Sequence, residues 1–269
     1  MWATYVNSLQ ESMSRRVALV LFGVALLVAA GFNWIVHVRS QASGAFTIAV
    51  GTQPPAPAAI AVPAVLESEL DATGSLWLLL SIFAATPLLA ATLEKGWLEL
   101  LFSKGTARWR IFTGRLLGGL TLYLVTFALV AVPVAGRLWW RTGIGTWQIG
   151  IALLIQTFSF AALLSVAALV TLPQKGVALP IIAAVAVWVL SPSLAKRQET
   201  YYQLFSSHFA RGIVDWAYRI LPKCSELEGL CAAFIQTGRI ASWWPLWSTG
   251  VFTLAVFGVT LWLLQRKSF

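Results

Sequence analysis

Six apolar runs, each near the ~20 residues a helix needs to cross the hydrocarbon core of a bilayer, constrain this chain more than any other feature. They cover Val17 to Val36, Ser75 to Thr92, Phe112 to Ala135, Trp147 to Leu172, Val177 to Leu190 and Ser248 to Leu264. A chain in which charged residues make up 11% and hydrophobic residues 58% departs far from the roughly 25% charge of soluble domains. The expected fold is therefore an all-α polytopic membrane protein, with six transmembrane helices in one transmembrane domain over residues 1–269. The first run is longer than the roughly 7–15 residues of a signal-peptide core, so it is expected to stay as an uncleaved anchor. An even number of spans puts both termini on one side.

The net charge of +9 would suggest nucleic acid in a soluble protein. In a membrane protein it points to headgroup anchoring and the positive-inside bias, with lipids and not nucleic acid as the partner. With the N-terminus inside, ten basic residues lie near inner span ends: Arg15, Arg16, Lys95, Lys104, Arg108, Arg110, Arg115, Lys175, Arg266 and Lys267. Six lie near outer ends: Arg39, Arg137, Arg141, Lys196, Arg197 and Arg239. Cytoplasmic termini follow. Tryptophans fall into two belts, at the outer ends (Trp34, Trp77, Trp139, Trp140, Trp147, Trp188, Trp243, Trp244, Trp247) and the inner ends (Trp2, Trp97, Trp109, Trp262), as indoles favour headgroup depth.

Between the spans, residues 1–16 place Trp2, Tyr5, Val6, Leu9 and Met13 on one face, which predicts an interfacial helix on the inner leaflet. The segment from His37 to Gly74 contains "GTQPPAPAAIAVP" and is expected to be a non-helical external loop. Glu67, Glu69 and Asp71 would form its hydrated end. The external stretch from Ser191 to Trp247 is long enough to hold short helices. In it, Phe205, Phe209, Ile213, Trp216 and Ile220 align on one side, and Arg211, Asp215 and Arg219 form an i,i+4 ladder on a solvated face. If Cys224 and Cys231 lie on one helix, roughly 10 Å of rise separates them, too far for a disulfide; a turn at Gly229 would permit one. Free thiols are the expectation.

Catalytic residues, metal ligands and a bound cofactor are not expected. Two cysteines and two histidines cannot build a zinc site, and no H-E-x-x-H, G-x-S-x-G or GxxxxGK[ST] pattern occurs. The chain therefore binds no ATP through a P-loop of its own. The span interiors are expected to hold no ionisable residue, which argues against an ion-coupled carrier. Their polar residues include Asn33, Gln156, Thr157 and Ser159. Gln156 and Ser159, three apart, would share a face as interhelical glue or as the lining of a path. "GRLLGG" offers Gly114, Gly118 and Gly119 for close helix packing.

One dense, mixed-charge passage, "LEKGWLELLFSKGTARWRIFTGR", lies between the second and third runs. As a helix it would carry a narrow polar stripe (Glu94, Lys95, Glu99, Ser103) and a broad apolar one (Trp97, Leu98, Leu100, Leu101, Phe102), with Gly105 as its stop. It resembles the signature of ABC transporter permeases of the type-two exporter family, roughly E-x-x-G-T-L-E-L-L-L-S-x-P-x-x-R followed by Gly-Lys. Leu98, Glu99, Leu100, Leu101, Ser103 and Arg108 match in sequence, and Gly114-Arg115 stands where Gly-Lys is usual. Gly96 comes one residue closer to Glu94 than in that pattern, Trp97 replaces threonine and Gly105 replaces proline.

The resemblance implies a transmembrane permease subunit in the cytoplasmic (inner) membrane of a prokaryote. It would pair with a second permease copy as a homodimer, or with a related permease, and sit on a separate cytoplasmic P-loop ATPase subunit that binds ATP and Mg. A cytoplasmic coupling helix between spans 2 and 3 would dock there, with Glu94, Lys95, Gly96, Trp97, Glu99, Ser103, Lys104 and Arg108 at the contact. This chain itself would not be an enzyme. Three alternatives stand beside that reading. One is a carrier or channel that works without ATP. Another is a membrane-bound enzyme using Glu67, Asp71 or His208. The last is an envelope assembly or signalling factor that uses ATPase strokes without moving a solute.

Overall fold

The computed structural model describes residues 5–6, 16–40, 46–51, 54–91, 107–173, 176–204 and 207–266. Six helices among them are long and apolar enough to cross a membrane: α1 (Val17–Ile35), α2 (Ala58–Ala90), α3 (Arg108–Thr142), α4 (Gln148–Thr171), α5 (Ala178–Ala195) and α9 (Trp244–Arg266). Each sits on one of the six apolar runs. Three shorter helices, α6 (Arg197–Leu204), α7 (His208–Ile220) and α8 (Cys224–Thr237), fill the stretch between α5 and α9.

The second span differs most from expectation. It begins at Ala58, far ahead of Ser75, and runs 33 residues through Pro63 and Pro87. At ~1.5 Å per residue it is roughly 50 Å long, well beyond a ~30 Å hydrocarbon core. The helix starts there because Pro57 is its N-cap and a proline ahead of the first turn interrupts no hydrogen bond. Beyond it, Ala58, Ala61, Val62, Val65 and Leu66 are all buried in the main core. Burial thus overrides the one bond lost at Pro63. Glu67, Glu69 and Asp71 lie on this helix, not on a loop.

Strands precede it. β1 (Val36–Ser40), β2 (Phe46–Val50) and β3 (Ala56–Pro57) form an antiparallel sheet in the order β1-β2-β3, with Val36 opposite Val50 and Ser40 opposite Phe46. Val36 and Ile48 are buried, and Val38 and Val50 pack against them, while His37 and Arg39 point outward. That period-two alternation is the strand signature. It is legible in "VHVR" and "FTIAV", and the loop expectation missed it.

Helices α2, α3 and α4 form the centre: 61% of the apolar stretch of α2 and of α4 is buried, against 11% for α9. Antiparallel α2 and α3 meet at three successive levels. The Trp77 indole N–H donates to Thr126 Oγ1 at 3.0 Å. Gly119 faces Ala85 so closely that an added Cβ would come 3.2 Å from that alanine's Cβ and 3.3 Å from Leu164. Near the end of α2, Arg115 donates to the Leu88 carbonyl at 2.7 Å. In "GRLLGG", the packing uses the missing side chain of Gly119.

Two expectations are corrected here. Trp77 belongs to no interfacial belt; it is wholly buried in the centre of the bundle. Trp34, Trp139, Trp140, Trp147, Trp243, Trp244 and Trp247 are exposed as a belt requires. Nor are the spans free of ionisable groups, since Arg115 is 3% exposed and Glu69 0%. Arg115 is buried because the last carbonyls of α2 have no partner within their own helix, and a guanidinium at a helix C-terminus supplies one. Glu69 is buried because α2 starts early enough to carry it into the bundle.

Cys224 and Cys231 lie on the continuous helix α8 and are free and buried. Burial pushes both thiols up to about 12. Cys231 donates to the Ala152 carbonyl at 3.6 Å.

Candidate functional site

The candidate functional residues belong to the two ends of the α2–α3 pair. At one end, the connector from α2 to α3 carries the proposed docking passage. Glu94, Lys95, Gly96, Trp97, Glu99, Ser103 and Lys104 lie outside the described residues. The structure does describe what holds the connector's two ends. α2 stops at Ala90, and α3 begins at Arg108 after Ala107, whose extended backbone (φ −64°, ψ 134°) breaks from the helix. Arg115, two turns into α3, clamps Leu88 in the last turn of α2. The distance between the two ends is therefore fixed by a buried hydrogen bond. Of the N-terminal interfacial segment, Tyr5 is described, and its hydroxyl donates to Thr121 of α3 at 3.1 Å.

At the opposite end, near the sheet, α2, α4 and α8 enclose a cleft of about 560 Å³. Glu67 and Asp71, one turn apart on α2, face Glu228 of α8 across it, and Gln156 of α4 lines it. Gln156 is 3% exposed, and its Oε1 has no hydrogen-bond partner. It reaches this position because Gly74 lets it lie against α2: a Cβ on Gly74 would stand 3.2 Å from Gln156 Nε2. Gln236 donates to Glu67 Oε2, and the Trp188 indole N–H points at Glu228 Oε1 from 3.5 Å. Burial pushes the Glu228 carboxyl above its ordinary range. The Trp188 N–H opposes that shift, and the charge of Asp71 adds to it.

The three polar residues of the fourth span part company. Gln156 lines the cleft, Ser159 lies against the Cys224 thiol, and the Thr157 hydroxyl bonds back to the Leu153 carbonyl of its own helix at 2.7 Å. Asn33, likewise, joins α1 to α3, where Arg137 donates to its carbonyl and, at 3.3 Å, to its Oδ1. His208 opens α7, is exposed, and does not line the cleft. Sequence reasoning missed Glu228, and no local signal marks it. Its place on the cleft wall needs α8 folded across α2. Glu69 stands apart from this cleft, with neither carboxylate oxygen partnered.

A third polar cluster ties α6 to α7. Asp215 accepts from Arg197 at 2.9 Å and from the Tyr202 hydroxyl at 2.7 Å, and Arg211 donates to the Tyr202 carbonyl at 3.0 Å. Two members of the expected ladder along α7, Arg211 and Asp215, thus bond to the preceding helix. The Tyr202 hydroxyl first, and Arg197 after it, hold the Asp215 carboxyl below its ordinary 3.8.

Compared with protein-family models and with curated proteins, the chain matches none. Among the described residues no group of three His, Cys, Asp or Glu side chains is placed to hold a metal ion.

Proposed function

We propose that this chain is the transmembrane permease subunit of an ATP-binding-cassette exporter, driven by a separate P-loop ATPase and working as a dimer. The observation that carries the reading is the joined pair α2–α3. The two longest helices are locked at Trp77–Thr126, Gly119–Ala85 and Arg115–Leu88, and the segment that links them bears the exporter-like motif. Packed interiors move as units, so a push on the connector would reach the cleft end of α2 without being absorbed by side-chain rearrangement. Closure of an ATPase dimer would supply that push as a rigid-body step. The connector and both termini would then face the cytoplasm of a prokaryote, and the sheet with α6–α8 the outer side of its inner membrane.

Affinity purification of the tagged chain from its native membrane tests this. A P-loop ATPase should co-purify in stoichiometric amount, and Glu99→Lys or Glu94→Ala should release it or uncouple its hydrolysis, with insertion unchanged. Undiminished co-purification and transport in both variants would remove the assigned interface.

A further inference from the structure

The cleft between α2, α4 and α8 is lined by acceptors, and the donors that reach two of them, Gln236 at Glu67 and Trp188 at Glu228, carry no charge. Glu67, Asp71 and Glu228 bring three carboxylates, and among the described residues no lysine, arginine or histidine lines the space. An acidic lining alone could be a hydrated surface. Gln156 makes the difference, because its carbonyl oxygen is withdrawn from solvent and left unpaired at the cleft wall. An unpaired buried acceptor is costly because it has given up water and gained nothing, and a donor entering the cleft would remove that cost. The ligand must therefore donate hydrogen bonds and carry positive charge.

The placement of the carboxylates narrows the class. A divalent metal needs several oxygens converging at ~2.0–2.6 Å, and no such group exists among the described residues. Here the carboxylates are spread along a space of about 560 Å³, with Ala64, Leu70 and Ala232 also on its walls. That pattern suits separated cationic donors joined by a short apolar chain. We propose that this cleft binds an aliphatic amine, with ammonium groups held by Glu67, Asp71 and Glu228 and an N–H given to Gln156. The site needs no ATPase, so it stands or falls independently of the exporter reading.

The test uses the purified full chain in nanodiscs of phosphatidylcholine and phosphatidylglycerol, titrated with spermidine by calorimetry at low ionic strength. Saturable binding is expected, weakened about tenfold or more by Asp71→Asn and by Glu228→Gln, which each remove one charge-assisted bond, and about threefold to tenfold by Gln156→Leu. If Glu228→Gln does not fold, Asp71→Asn, whose side chain is exposed, decides alone. Adding phosphatidylethanolamine separates two sources of the same chemistry: competition identifies a lipid headgroup amine as the occupant, and unchanged affinity an amine from the aqueous phase. Binding that is absent in both lipids, that ignores both carboxylate variants, or that magnesium displaces at matched charge overturns the proposal.

Discussion

The α2–α3 pair and the short helix α7 are built inside out relative to one another. In the pair, two polar side chains point inward and are matched across the helix interface: an indole to a hydroxyl, a guanidinium to an orphan carbonyl. In α7 the polar side holds the protein, through Asp215 to Arg197 and Tyr202, and the apolar side looks away from it. Phe209, Ile213, Trp216 and Ile220 are all exposed, and no residue of α7 is buried. The difference teaches which solvent each element was fitted to. Lipid gives helices no hydrophobic reason to associate, so close packing and hydrogen bonds must hold α2 to α3. An exposed apolar face opposite a charged one fits α7 to a membrane surface, lying in its plane.

Variants can break this contrast. The largest effect is expected from Arg115→Leu, which leaves the Leu88 carbonyl buried without its donor; a loss of about 2 kcal/mol should appear as a lowered midpoint in a denaturant titration of the reconstituted chain. Arg115→Lys should recover part of it. Next comes Gly119→Val. Its branched side chain must displace Ala85 or Leu164, where a bare Cβ already comes within 3.3 Å, and overpacking of this kind costs about 1–3 kcal/mol. Equal stability of Gly119→Val and the parent would show that the two helices are not clamped there.

For α7 the effects are local. Asp215 has its carboxyl pKa lowered on folding, so its contribution is complete above the unfolded value near 4 and is lost as pH falls through the lower folded value. Limited proteolysis within residues 197–220 should therefore quicken in acid, and Asp215→Asn should already show that quickening at neutral pH. Cleavage that is insensitive to both would detach α7 from this anchor. The smallest change in fold stability belongs to Trp216→Ala, within about 0.5 kcal/mol. Its signature is instead a reduced quenching of tryptophan fluorescence by brominated lipid. A large loss of bundle stability in Trp216→Ala would mean that the exposed face is packed against something other than lipid.

The six membrane-length helices were legible because each needs a single local property, sustained apolarity over about 20 residues, and nothing distant alters it. The free thiols of Cys224 and Cys231 were legible for a similar reason, since helical rise alone separates them. The sheet was legible in principle through its alternation, but the nearby prolines drew attention to a loop. The same prolines hid the first five turns of α2. There the outcome turned on burial of Ala58 to Leu66 beneath the sheet, a contact that sequence neighbours do not announce.

Arg115, Trp77 and Gln156 show where local reading stops. Arg115 has the composition of a headgroup anchor and Trp77 that of an interfacial belt; each is buried because a partner on another helix, Leu88 or Thr126, lies within hydrogen-bonding distance. The sequence by itself determined how many times this chain can cross a membrane and which passage between spans departs from that apolar pattern, because hydropathy acts residue by residue. Only the tertiary structure decided which polar groups are matched, which are left waiting, and that Glu228 joins Glu67 and Asp71 around one cleft. Hydrogen bonds and charges act across a few ångströms of space, and chain order does not fix those distances until the helices have packed.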